Sequence, residues 1–341
     1  MLTEIGLKNF KCFNNLIKVP INSINLFTGI NGRGKSTILQ ALLLMRQSPE
    51  HSRTTSQIVF NGSCVELGNF DDVRNSIVSR NEPIELMFRF ERDVDHIDLH
   101  YFFIENDEDE MVANIEKLVG KGRMDDREFD FLVEKENGSS YVMHYGEDDY
   151  EHDWYNLLLP DVSEGDDLYL IQKNVEFTRI HYISADRIGP KDYYAKQSFA
   201  EFPNVGRRGE YTANLLSKKK NDLVDENLCL DSGETHTVLD QTTAWLSKIF
   251  EGGKIDIKPL EANIVLMELN SEDSVNLYKP VNVGFGYSYA LPIIVSGLIA
   301  REGEILIVEN PEAHLHPYAQ SQIARFLAMV STCGIQWYNH K

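Results

Sequence analysis

A chain of 341 residues with 42% hydrophobic side chains can bury a substantial core, as one large domain with insertions or as two smaller ones. Its four cysteines, Cys12, Cys64, Cys229 and Cys333, have no CxxC spacing, which counts against a disulfide framework or a thiolate zinc site and favours a reducing, cytoplasmic setting. The net charge of -20 is concentrated: residues 91–167 hold 25 Asp and Glu against 6 Lys and Arg, and the remaining 28 acids and 27 bases nearly cancel, so only that stretch argues against an anionic partner.

In chain order, residues 2–27 show short apolar runs broken by polar turns, which predict strands. The N-terminus has no signal-peptide pattern, so Asn61-Gly-Ser and Asn137-Gly-Ser are read as turns rather than glycosylation sites. "FTGINGRGKSTILQALLLMRQ" at 27–47 follows the last of the early strands and runs into a stretch of helix formers without Gly or Pro, giving the order strand, glycine loop, helix. "IELMFRFE" and "IDLHYFFI" predict strands, and "FDFLVEKENGSSYVMHY" predicts a hairpin turning at Asn137-Gly138. "TRIHYISADRIGP" predicts a buried strand and loop, and "VLDQTTAWLSKIFEGG" a helix closed by Gly252 and Gly253. "YALPIIVSGLIA" at 289–300 is far short of the roughly 20 residues of a membrane span, and no membrane contact is expected. "EILIVENPEAHLHP" followed by "SQIARFLAMVSTCGIQ" predicts a strand, a loop and a helix.

"GINGRGKST" fits the pattern G-x-x-x-x-G-K-[ST] between a strand and a helix, the context in which such a loop binds nucleotide phosphates. Glycines let successive backbone N–H groups curl toward phosphate oxygens, and a helix N-terminus adds partial positive charge. Gly29, Asn31, Gly32, Arg33, Gly34, Lys35, Ser36 and Thr37 are therefore the candidate ATP-binding residues. Lys35 is expected to reach the β and γ phosphates, Ser36 to ligate Mg2+, and Thr37 to support the loop or the α phosphate. A second buried strand must supply a carboxylate for the metal, and Ile305 to Val308 lead into Glu309, with Glu312 close enough along the loop to be a candidate base. His314 and His316 alternate without nearby cysteines, which suits loop packing or dimer contacts better than zinc.

Taken together, "LKNFKCF", "GINGRGKST", "YISADRIGP", "NVGFGYSYALPI" and "VENPEAHLHP" resemble the ABC-type ATPases of the OLD and RecF/SMC relatives, nearest to the AAA-15/AAA-21 group with its DUF3696-tailed and Septu-type defence members. The resemblance implies an α/β fold: an ABC-ATPase-like P-loop core with a mixed β-sheet, an antiparallel β lobe and a helical, acidic insertion. Residues 1–90 and 171–341 would form the two parts of the core, the first with the P-loop and the second with the signature-like segment and Walker B strand, and residues 91–170 the acidic, β-rich insertion.

The same resemblance implies a head-to-head homodimer, or a higher homo-oligomer, with ATP between one subunit's P-loop and its partner's signature segment. "GFGYS" stands at the signature position, which makes Gly284, Gly286 and Ser288 the candidates for γ-phosphate contact in trans; taken alone, these glycines would mark a turn before an apolar helix at 291–300. Asn310 follows Glu309 where ABC ATPases often carry a catalytic glutamate, so hydrolysis is expected to be slow or to depend on Glu312. Relatives continue into a further buried strand ending in a Thr-His switch. Here "GIQWYNHK" ends the chain, leaving His340 without that context and predicting a shortened form.

The leading expectation is a cytoplasmic ATP hydrolase that acts as a nucleotide-dependent dimeric switch in bacterial anti-phage defence, with an effector nuclease as partner. A RecF- or SMC-like DNA-repair or chromosome-maintenance clamp is the alternative, and a nucleotide-bound scaffold with negligible turnover is the third reading. For DNA contact the local candidates are Arg207, Arg208 and Lys218 to Lys220, against the competing reading of a solvated helix surface.

Overall fold

A computed structural model describes all of the chain except residue 31, 137–139, 158–170, 172–173, 197, 199–201, 231–234, 261–262, 271–275 and 341. The described residues fall into two compact units, Met1–Asn22 with Thr28–Arg179, and Ser23–Phe27 with Ile180–Lys341.

The first unit is built on a nine-stranded sheet. It comprises β1 (Leu2–Lys8), β2 (Ile17–Pro20), β4 (Gln57–Val59), β5 (Ile84–Arg92), β6 (Asp95–Glu105), β7 (Val112–Met124), β8 (Arg127–Lys135), β9 (Tyr141–Tyr145) and β10 (Asp148–Glu151). The order is β10-β9-β8-β7-β6-β5-β1-β2, with β4 beside β7, and every pairing is antiparallel. Period-two patterning explains why these segments are strands: along β6, Ile97, Leu99, Tyr101 and Phe103 are buried while their neighbours face outward. Asp125 and Asp126, both left-handed (φ 48° and 64°), close the β7–β8 hairpin as a two-residue turn whose twist matches its strands. The Asn137-Gly138 turn lies outside the described residues, but the strands it joins, β8 and β9, pair antiparallel as expected. The acidic stretch thus contributes strands to the same sheet as β1 and β2. Helix α1 (Lys35–His51) packs on β1 and β4, and its buried Gln47 accepts from the Cys64 and Val65 amides (3.1 and 2.9 Å). The short α2 (Phe70–Val73) is held by a reciprocal capping box between Asn69 and Asp72.

The second unit has a four-stranded parallel sheet in the order β11-β15-β16-β3, from β11 (Ile180–Ile183), β15 (Ile305–Glu309), β16 (Gln336–His340) and β3 (Ile24–Phe27). β15 is buried up to its last residue, as a continuous apolar run in a parallel sheet should be, and β11 is buried throughout, with its His181 paired to Glu304 (3.0 Å). Helix α6 (Pro317–Thr332) makes the crossover from β15 to β16. A small antiparallel sheet, β12 (Tyr194–Ala195), β14 (Ile264–Asn270) and β13 (Lys254–Pro259), packs against α3 (Thr212–Lys219) and α4 (Val238–Ile249), which in turn pack on α5 (Phe285–Ile299). The core of this unit centres on Trp245 of α4, whose ring meets Phe326 of α6 edge-on at 4.8 Å. The fold is therefore the mixed α/β architecture expected, with an extensive antiparallel sheet and a parallel one.

Two expectations change. Helix α5 begins at Phe285 rather than near Leu291, with Gly284 as its N-cap, so Gly286 and Ser288 lie in its first turns and not in a preceding turn. The cause is tertiary: eleven of its fifteen residues are buried, which outweighs the poor helix propensity of Gly286 and the interior Pro292. Nor is the chain's last segment without context. "QWYNH" is a strand inserted between β15 and β3, paired with both, and it places the His340 backbone in register with Glu309 on one side and Phe27 on the other. Among the described residues no helix is long and apolar enough to cross a membrane.

Candidate nucleotide site

The chain leaves β3 at Phe27 and enters the glycine loop, which belongs to the first unit. Gly29, Gly32 and Gly34 all have positive φ (136°, 76° and 87°), a backbone path that a side chain would strain. A Cβ on Gly29 or Gly32 would meet nothing within 4 Å, so the loop is open where its glycines curl, whereas one on Gly34 would press on the Phe13 ring and the Cys12 sulfur. Gly34 is also the N-cap of α1, and among the described residues no side chain caps that helix. Lys35 arches back over the loop, its Nζ donating to the carbonyls of Gly29 (2.6 Å) and Ile30 (3.2 Å). Gly32 and Arg33 are exposed, Lys35 and Ser36 half-buried and Thr37 buried; Asn31 lies outside the described residues.

In the second unit, Glu309 ends β15 with both carboxylate oxygens engaged: Oε1 accepts from the Tyr182 hydroxyl (3.3 Å) and Oε2 from the Ala185 amide (3.1 Å). The next residue, Asn310, is left-handed (φ 44°), and its carbonyl accepts from the Ala313 amide (3.0 Å), which folds the chain into a tight turn. Arg187 lies beneath that turn. It is almost fully buried, and its Nη2 donates to the carbonyls of Glu309 (2.6 Å) and Asn310 (2.5 Å) and its Nη1 to that of Tyr289 on α5 (3.3 Å), while the guanidinium sits 5.2 Å from the centre of the Tyr289 ring. Burial lowers the Arg187 pKa to about 10, opposed by Tyr289, Glu312 and Glu309, so it remains a cation at neutral pH.

Glu312 is half-buried in the same turn. His314 turns its ring toward Tyr289 (4.4 Å) and Phe285 (6.2 Å), packing within the loop, and His316 caps the N-terminus of α6 by accepting from the Tyr318 amide (3.4 Å). At the start of α5, Gly284 is exposed and Gly286 half-buried, while the Ser288 hydroxyl is enclosed without a hydrogen-bond partner. Of the cations considered for DNA, Arg208 pairs with Asp186 (3.1 Å) and Lys219 with Asp222 (2.8 Å).

The second unit therefore gathers Glu309, Asn310 and Glu312 with a group that motif reading did not single out: Tyr182, Ala185 and Arg187, all from "YISADRIGP". The available signal was an arginine four residues past the end of a four-residue buried strand, close enough to the core that its charge needs partners.

A protein-family model described as AAA ATPase domain (AAA_15) matches residues 1–336. A search of curated proteins finds no match. Solved structures similar to the chain include the SMC head domain from Thermotoga maritima (12% identity, TM-score 0.39) and an SmcHead bound to the C-winged helix domain of ScpA (13%, 0.43). A third is the Smc head domain with an extended coiled coil bound to the C-terminal domain of ScpA, derived from Pyrococcus furiosus (12%, 0.45); each similarity covers 100% of this chain and 89% of the other.

Proposed function

The chain belongs to the AAA ATPase domain family (AAA_15), and on that premise we propose that it binds ATP with Mg2+ and works as an ABC-type, nucleotide-dependent dimeric switch. The observation that carries this reading is the glycine loop. Three left-handed glycines, two with open space where a Cβ would stand, lead into an uncapped helix, and a lysine already bridges the loop's carbonyls. Such a loop offers backbone N–H groups and one mobile cation to a phosphate chain.

The Ser36 hydroxyl and the Glu309 carboxylate, which the resemblance assigns to the metal, are each hard oxygens of the kind Mg2+ takes. A bound ion would supply charge neutralisation to the phosphate chain. Tyr182 and the Ala185 amide orient the Glu309 carboxylate. Asn310 can orient a water but cannot take its proton at neutral pH, which leaves Glu312 as the proposed base and makes slow turnover the expectation. The start of α5, with Gly284 and Gly286, is proposed as the surface offered to a second copy's nucleotide; the third candidate, Ser288, has its hydroxyl enclosed and would reach that surface only if the first turns of α5 moved. The resemblance to defence ATPases supplies the setting, a switch that reports ATP occupancy to an effector nuclease. A DNA clamp is the weaker reading, because Arg208 and Lys219 are committed to intrachain carboxylates.

Equilibrium titration with ATP, with and without Mg2+, followed by sedimentation of the complex with a hydrolysis-resistant analogue, tests the proposal. Saturable binding and an ATP-dependent shift to dimer are expected. Absence of ATP binding by the folded chain would overturn it.

A further inference from the structure

We propose that Arg187 is a positioning residue for nucleotide hydrolysis, which sets the backbone at Glu309 and Asn310 and ties it to the helix bearing the signature-like glycines. The proposal rests on the ATPase reading above and deepens the account of that same site. One guanidinium nitrogen serves two consecutive carbonyls, those of Glu309 and Asn310, and the other reaches the Tyr289 carbonyl one turn into α5. These are the strand end that carries the metal carboxylate and the helix whose N-terminus carries Gly284 and Gly286. The grip is double, because the segment that ends at Arg187 also holds the Glu309 side chain, through Tyr182 and the Ala185 amide.

A buried cation is a costly way to join three carbonyls if cohesion were all that mattered: its direct bonds are to carbonyl dipoles, with the Tyr289 ring and the Glu312 and Glu309 charges in support, and Nε has no partner among the described residues. What no neutral side chain could do is serve two successive carbonyls from one nitrogen and the Tyr289 carbonyl from a second, within one rigid plane. That fixes the direction in which the Glu309 side chain leaves the strand, and it holds Asn310 in its left-handed conformation.

The test compares Arg187→Met, which keeps side-chain volume and removes charge and donors, with Arg187→Lys, which keeps the charge but not the fork. Folding, ATP affinity without Mg2+, the Mg2+ midpoint for hydrolysis, the single-turnover rate and nucleotide-free hydrogen exchange at Ala313 are measured in the full chain. For Arg187→Met the single-turnover rate should fall by about 10–100-fold and the Mg2+ midpoint rise about tenfold, as for the loss of groups that orient a metal ligand. Its metal-free ATP affinity should stay within about threefold, the pattern of an interaction needed for chemistry and not for binding. The Ala313 amide, bonded to the Asn310 carbonyl, should exchange faster, and Arg187→Lys should recover part of the rate.

A folded Arg187→Met with wild-type rate overturns the proposal, as does a loss of metal-free ATP affinity in proportion to the rate. If the methionine variant does not fold, an Arg187→Lys variant with unchanged rate and unchanged Mg2+ midpoint overturns it. Should the wild-type chain not bind ATP, it is the ATPase reading that fails, and Ala313 exchange then decides on Arg187: unchanged protection in the folded variant removes its positioning role.

Discussion

Replacing Gly34 by alanine separates two costs that a glycine loop usually confounds. An L-residue in the left-handed region costs about 1–2 kcal/mol, and that applies equally at Gly32 and Gly34, whose φ values are 76° and 87°. The positions differ in what a methyl group would meet. At Gly32 there is nothing within 4 Å, whereas at Gly34 the new carbon lands on the Phe13 ring and 2.8 Å from the Cys12 sulfur. Overpacking of this kind costs about 1–3 kcal/mol, so Gly34→Ala should lose about 2–5 kcal/mol and Gly32→Ala only the first part. At roughly 2–4 °C per kcal/mol for a unit of this size, the gap between the two variants should be on the order of 5 °C in melting temperature. Thermal unfolding and ATP titration of both variants, run side by side, measure it. Phe13→Ala in the Gly34→Ala background should restore part of the loss, because the two side chains compete for one space. Equal melting temperatures and equal ATP affinities for Gly32→Ala and Gly34→Ala would refute the packing argument.

Lys35→Ala removes a charge-assisted contact worth about 1.5–3 kcal/mol, so ATP affinity by titration should fall by about 10–150-fold with folding intact; unchanged affinity would show that the lysine does not meet phosphate. Gly286→Asp should abolish ATP-dependent dimerisation in sedimentation while the monomer still binds ATP, because it places a negative charge at the start of α5. A Cβ there would also meet the His314 carbonyl at 3.2 Å, so the melting temperature must be followed as a control. Single-turnover hydrolysis should drop about tenfold or more in Glu312→Gln and rise by no more than about tenfold in Asn310→Glu. Fast wild-type turnover that ignores Glu312→Gln would remove Glu312 from the chemistry.

What local pattern controls was legible in the sequence. The strand, glycine loop and helix at 24–51, the β5–β6 and β8–β9 pairs and the buried run into Glu309 all follow from periodicity and turn chemistry that neighbouring residues decide. What nonlocal contact controls was not. Residues 336–340 carry Gln, Asn and His and become a strand only because β15 and β3 both pair with it, the latter from the other end of the chain. The start of α5 hides behind glycines whose weak helix propensity is overridden by burial. Arg187 could not be assigned because the carbonyls it serves lie 122 and 123 residues further along.

The strand at 336–340 gives the His340 backbone a place beside Glu309, and the expectation of slow hydrolysis is argued from Asn310. The backbone gives that asparagine a rationale independent of chemistry. Its φ of 44° is left-handed, a conformation that asparagine tolerates better than any other residue except glycine, and its carbonyl must serve both Arg187 and the Ala313 amide. A glutamate at this position would pay the left-handed penalty in full and would set a second carboxylate beside Glu309, raising the cost of keeping both ionised. The tightness of the turn and the presence of a catalytic carboxylate directly after the strand therefore oppose each other. On the proposed reading, a chain that folds Glu309 into a grip of Tyr182, Ala185 and Arg187 would gain a fixed metal carboxylate at the expense of the neighbouring base, the balance expected of a switch that holds ATP longer than it hydrolyses it.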